Sequence, residues 1–150
     1  MEKFLDIGKC IYSFLLTILT SILGTHWLLF ALYFSLNTVD FFTGWAKSRV
    51  NGTESSVTGM KGIIKKFCYW LMILIAFLMP MIFEEIGMII GEDFSVTLYV
   101  GWFVLVSLII NEYRSILENL VEIGCNVPPI LTKGLEIISK KIEETGDENE

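Results

Sequence analysis

The sequence predicts an all-α integral membrane protein with three to four transmembrane helices, followed by cytoplasmic amphipathic helices at the C-terminal end. Three charge-free runs carry that prediction. Cys10 to Val39 holds thirty residues without Asp, Glu, Lys or Arg, and Phe67 to Phe83 and Phe94 to Asn111 are likewise uncharged. A bilayer core takes about 20 apolar residues per helical crossing, so each run is long enough, or nearly so. Hydrophobic residues make up 53% of the 150-residue chain, which leaves the rest for connections and tail.

The first run must be broken, because one helix from Cys10 to Ala46 would be about 55 Å long against a hydrocarbon core of about 30 Å. Gly24-Thr25-His26 is the natural hinge. It gives a first helix over about 9 to 24 and a second over about 26 to 46. The alternative is a three-crossing chain in which one helix over about 18 to 40 replaces both. The next helix is expected over about 66 to 90, kinked at Pro80, with Glu84 and Glu85 reaching the far headgroups. The last crossing begins near Phe94 and continues out of the membrane. There Asn111, Ser115, Glu118 and Glu122 form a polar line opposed by Ile109, Tyr113, Ile116, Leu120 and Ile123, until Gly124 ends the helix. The transmembrane domain with this extension therefore covers residues 1–124. Pro128-Pro129 resets the direction. Leu131, Leu135, Ile138 and Ile142 then recur at helical spacing, which places an amphipathic helix within 125–142. The acidic residues of 143–150 predict a disordered tail.

Basic residues are retained on the cytoplasmic side during insertion. Lys47, Arg49, Lys61, Lys65 and Lys66 put the loop between the second and third helices inside, whereas the turn holding Glu92 and Asp93 has no base. Arg114, Lys133, Lys140 and Lys141 put the C-terminus inside, and with four crossings Lys3 and Lys9 put the N-terminus there too. Three crossings leave the N-terminus outside. The N-terminal run lacks a good cleavage site and reads as an uncleaved helix. Trp27, Trp45, Tyr69, Trp70, Tyr99, Trp102 and Tyr113 fall near helix ends and read as aromatic belts.

Two polar stripes interrupt the apolar runs. Ser13, Thr17, Thr20, Ser21 and Gly24 share one helical face, and Tyr33, Asn37, Asp40 and Gly44 form a matching line on the next helix. Small and hydroxylated residues concentrate where membrane helices touch. An ionisable Asp40 within a crossing costs up to roughly 3 kcal/mol unless it finds a partner or water, so it faces inward. The stripes either pack helices together or line a wet surface in an assembled ring.

Chemistry is absent from the pattern. The net charge of −6 opposes nucleic-acid binding. Cys10, Cys68 and Cys125 give neither a disulfide framework nor a metal-ligand spacing and read as buried or interfacial thiols. No catalytic constellation, metal site or cofactor site emerges, so the chain is not expected to be an enzyme. Gly59 and Gly62 lack the context of a phosphate cradle and are expected to be turn residues.

Two blocks carry a family resemblance. Residues 37–66 contain Asp40 followed by Thr43-Gly44, a short basic stretch, Ser55-Ser56, Gly59, Gly62 and the Lys65-Lys66 pair. Residues 111–131 contain Asn111-Glu112, Ser115, Glu118-Asn119, Gly124 and Pro128. In this order and with these hydrophobic spacers they resemble the toxin-secretion and phage-lysis holins of Gram-positive bacteria and their phages. That resemblance implies a small protein of the bacterial cytoplasmic membrane that self-associates in lipid and forms lesions, releasing a cell-wall hydrolase or a toxin. Two other readings stay open: an antiholin or regulatory membrane protein of the same fold, and a small channel or transporter subunit with Asp40 as an ion site.

Overall fold

The computed structural model describes residues 26–147, with Lys9, Ser13, Phe14, Thr17 and Gly24 before them. Four helices and one 3₁₀ turn account for nearly all of this stretch: α1 (Trp27–Val50), α2 (Ser56–Ile90), the turn Ser95–Thr97, α3 (Leu98–Ile123) and α4 (Pro129–Asp147). No strand occurs among the described residues.

α1 begins where the hinge was expected. Gly24 takes a positive φ of 70°, and its carbonyl accepts the Trp27 N–H at 3.3 Å. α2 differs from expectation. It starts ten residues earlier, after an extended Ser55, so Gly59 and Gly62 lie inside a helix and are not turn residues. Each glycine costs about 1 kcal/mol relative to alanine, but Met60, Lys61, Ile63, Ile64 and Lys65 surround them. A helix already nucleated by packed residues propagates through such a stretch. At 35 residues α2 is about 52 Å long, so its first turns extend beyond any hydrocarbon core. It runs through the buried Pro80 without interruption; the missing N–H leaves one carbonyl unbonded and no break results.

α2 and α3 are the two described helices long and apolar enough to cross a membrane. Each ends on a left-handed glycine, Gly91 at φ 80° and Gly124 at φ 98°. At the first, Gly91 and Glu92 both donate to the Gly87 carbonyl, at 2.8 and 3.1 Å. The chain turns so tightly there that a Cβ on Gly87 would lie 2.4 Å from the Glu92 carbonyl oxygen. Asp93 then accepts the Ser95 N–H at 2.8 Å, and Phe94 stacks on Phe83 across the turn.

α3 is the centre of the bundle. α1 and α2 each pack along it, while their own backbones stay apart and meet through long side chains. Tyr33, Ile73, Leu105 and Leu108 form the core, with Phe30, Trp70, Phe77 and Trp102 against it. Trp70 meets Tyr33 and Trp102 meets both Phe77 and His26, so these two tryptophans join helices and are more than a headgroup belt. A Cβ on Gly101 would sit 2.9 Å from the Phe77 ring, a close approach of the kind that small residues permit in membrane helices. Cys68 and Cys125 are exposed in the monomer, which removes the buried half of the expectation that they are buried or interfacial thiols, and Cys10 lies outside the described residues. α4 packs on α3 and continues to Asp147, into the segment expected to be tail. Its Leu135 and Ile142 are half-buried, while Leu131 and Ile138 are exposed.

Candidate functional site

The polar face of α1 does not meet the first stripe in the described part of the chain. Ser13, Thr17 and Gly24 are exposed, with the Thr17 hydroxyl donating to the Ser13 carbonyl at 2.8 Å. Thr20 and Ser21 lie outside the described residues. What the α1 face meets is α3. Tyr33 and Asn37 are buried, and Asn37 Nδ2 donates to the Tyr33 carbonyl at 3.1 Å. Among the described residues the Tyr33 hydroxyl and Asn37 Oδ1 have no hydrogen-bond partner.

One to two turns further along, three helices converge on one ammonium. Lys66 of α2 forms an ion pair with Asp40 Oδ2 of α1 at 2.8 Å and donates a hydrogen bond to Glu112 Oε2 of α3. All three side chains are withdrawn from the surface; Glu112 is 3% exposed, Asp40 15% and Lys66 19%. The other carboxylate oxygen of Asp40 accepts from Asn119 Nδ2 at 3.1 Å, and the same amide group donates to Thr43 Oγ1 at 3.3 Å. Thr43 Oγ1 in turn donates to the Asp40 carbonyl at 3.1 Å. Gly44 stands opposite Asn119, where an added Cβ would lie 3.6 Å from the amide nitrogen. Toward the end of α1, Lys47 pairs with Glu122 at 3.2 Å.

The cluster sits where the geometry of the chain requires it. Asp40 is ten residues before the end of α1 and Lys66 ten residues after the start of α2, so a reversal through residues 51–55 brings them to the same level, about 15 Å in from the loop. Glu112 and Asn119 are seven apart and therefore share a face of α3. Burying charge is expensive unless it is paired and hydrogen-bonded. Here every member has a partner on another helix, so the cluster fixes the register of all three.

Sequence reasoning identified Asp40 as needing a partner but read Lys66 as a marker of topology. Glu112 and Asn119 were named only through the family blocks. The polar line proposed for α3 proves to be its outer edge: Asn111, Glu118 and Glu122 are exposed and Ser115 half-buried, while Tyr113, assigned to the apolar face, is also exposed. Glu112, one residue off the line, points inward with Asn119.

The remaining family positions gather beside the cluster. Ser55, Ser56, Gly59, Gly62, Lys65, Asn111, Ser115 and Glu118 line, together with the cluster, a cleft of about 930 Å³ between α1 and α2 that is floored by α3. Gly124 and Pro128 lie further on, at and just after the end of α3. The site holds no nucleophile with an adjacent base, and no group of acidic, cysteine or histidine side chains suited to a metal ion occurs among the described residues. What it can do is bind, pair and hold helices.

Residues 17–140 match the model of the bacteriophage holin family, a span that includes α1, α2 and α3 in full. Among curated proteins, the uncharacterized protein Lin0175 of Listeria innocua is 34% identical over 74% of this chain and 69% of its own length. The uncharacterized protein Lmo0128 of Listeria monocytogenes is 32% identical over 74% of this chain and 71% of its own. An uncharacterized protein of Halalkalibacterium halodurans, BH0965, is 27% identical over 77% of this chain and 81% of its own. No solved structure matches the chain.

Proposed function

The chain belongs to the bacteriophage holin family, and we propose that it acts as a holin, assembling in the bacterial cytoplasmic membrane into lesions that release a cell-wall hydrolase or a toxin. The observation that carries this reading is the convergence of both family blocks, far apart in sequence, on one buried cluster within the matched region. The residues of the two family blocks thus build the part that joins the three helices. In this reading α1, α2 and α3 cross the membrane, with the basic loop between α1 and α2 and the whole of α4 in the cytoplasm. Single cysteines in a cysteine-free protein test the placement: Ser95→Cys reacts with an impermeant reagent from outside, and Ser48→Cys and Lys133→Cys do not.

The surface of α2 supports self-association. Ile75, Ile82 and Ile89 are seven residues apart on α2 and each is more than half exposed, so they form an apolar stripe open to lipid or to further copies. A protein that must first assemble accumulates without harm and then acts abruptly. Induced expression is therefore expected to leave growth and membrane potential unchanged for an interval, then to collapse the potential. Lysis requires a co-expressed cell-wall hydrolase without its own export signal. Graded loss of potential from the start of induction, or failure to release the hydrolase, overturns the holin reading. Delay of another holin's action with no lesion of its own makes the protein an antiholin instead.

A further inference from the structure

Because the backbones of α1 and α2 stay apart while both pack on α3, the bundle leaves a crevice between them on the loop side of the contact between Tyr33 and Trp70. Its lining carries five cations and four carboxylates, an excess of one positive charge. Asp40 and Glu112 share Lys66, Glu54 pairs with Arg49 at 3.3 Å and Lys47 with Glu122, and Glu118 is the remaining acid of the lining. Lys61, Lys65 and Arg114 also line the crevice, and among the described residues none of them is paired with a carboxylate. Lys65 lies over the Tyr69 ring, 5.5 Å from its centroid, and both residues line the crevice. Ser55, which makes no side-chain capping bond to α2, lies at the same mouth.

The position of the crevice matters as much as its charge. Lys65 and Lys66 immediately precede Phe67, where the apolar run of α2 begins, so the cations stand at headgroup level if α2 crosses. Phe41 and Trp45, both exposed, supply an apolar wall beside them. Basic pockets between crossing helices on the cytoplasmic side suit anionic headgroups. We propose that this crevice holds the phosphate headgroup of an anionic phospholipid, with Lys61, Lys65 and Arg114 as its cationic ligands. The inference rests on the membrane placement proposed above and is independent of lesion formation.

The test uses the full-length protein in nanodiscs of phosphatidylcholine with or without phosphatidylglycerol. Native mass spectrometry after release is expected to find one phosphatidylglycerol retained per chain in preference to phosphatidylcholine. The combined substitution Lys61→Gln, Lys65→Gln and Arg114→Gln weakens that preference by roughly fivefold for each charge removed. Lys133→Gln with Lys140→Gln on α4, which do not line the crevice, keeps it. Equal retention of the two lipids, or an equal loss from the α4 pair, overturns the proposal. Displacement of phosphatidylglycerol by millimolar inorganic phosphate assigns the site to a soluble anion and overturns the lipid source. If the triple variant does not fold, the unmodified protein still decides. Brominated phosphatidylglycerol must quench the fluorescence lost in Trp45→Phe more than brominated phosphatidylcholine does, and equal quenching overturns the site. Retention is read without cells, so its failure is distinct from a failure to depolarise them.

Discussion

α2 and α3 both qualify as membrane-spanning by length and apolarity, yet the fold uses them in opposite ways. α2 is the more apolar and buries only a narrow line of its residues, Ile73, Ala76, Pro80 and Gly87. α3 is the less apolar and packs against both neighbours, burying Glu112 and Asn119 along with Leu105, Leu108 and Leu117. In water the greasier helix would take the centre. In lipid an apolar face gains little from meeting a protein instead of an acyl chain, and where the helices reach headgroup level a charge is buried at tolerable cost only when it is paired and hydrogen-bonded. The paired polar residues therefore hold α3 at the centre, and the contrast can be tested by removing them one at a time.

Lys66→Met is expected to have the largest effect. It leaves Asp40 and Glu112 buried without their shared cation, and removal of one partner from a buried ion cluster costs about 3–5 kcal/mol. Unfolding in mixed micelles with rising denaturing detergent measures the loss. Adding Glu112→Gln to Lys66→Met is expected to recover part of it, because one uncompensated charge then disappears. A Lys66→Met protein as stable as the parent would mean that the cluster is not what holds α2 to α1 and α3.

Glu112→Gln alone comes next, at about 1.5–3 kcal/mol, the range for a hydrogen bond to a charged group. Asp40→Asn is expected to cost less, since Asp40 is the more exposed of the two carboxylates and an amide still accepts from Asn119. The same unfolding assay ranks them; the reverse order would show that α1 and not α3 anchors the ammonium. This pair also marks how far the sequence could be read. Asp40 was legible because it stands alone after thirty uncharged residues, and any acid so placed must turn inward. Glu112 was hidden by its neighbours. Asn111, Ser115, Glu118 and Glu122 offered a regular polar line, and periodicity favours the regular line over a residue beside it. Lys66 was hidden for another reason: a base at the end of an apolar run explains itself as a topology signal before it suggests a partner. The helix breaks at Gly24, Gly91 and Gly124 were legible or nearly so, being set by local backbone geometry. The start of α2 was not, because propagation from a packed helix overrides two unfavourable glycines.

Gly101→Ala probes the other side of the comparison, where α2 meets α3 through packing alone. The new methyl would lie 2.9 Å from the Phe77 ring, so the ring or the helix must shift. The expected cost is roughly 1 kcal/mol, the low end for overpacking, because a terminal ring can move. Gly44→Ala meets only Asn119 at 3.6 Å and is expected to be tolerated. If the two substitutions cost the same, helix proximity is not the reason for glycine at position 101.

The smallest effect is expected on the outward stripe of α2. In a monomer, Ile75→Ala with Ile82→Ala removes side chains that touch no core residue and changes lipid contact on both sides of the unfolding equilibrium. Each substitution is therefore expected to stay within about 0.5 kcal/mol, as for positions away from packing and polar networks. Assembly is where the two helices part company. If copies associate through α2, the double variant keeps the parent's stability at high dilution and loses the larger oligomers seen in gentle detergent, with a delayed collapse of membrane potential. Loss of monomer stability would place these residues in the fold, and unchanged oligomers would leave α2 facing lipid only. Either result would move the assembly surface elsewhere, with the Ser13 and Thr17 stripe the next region to test.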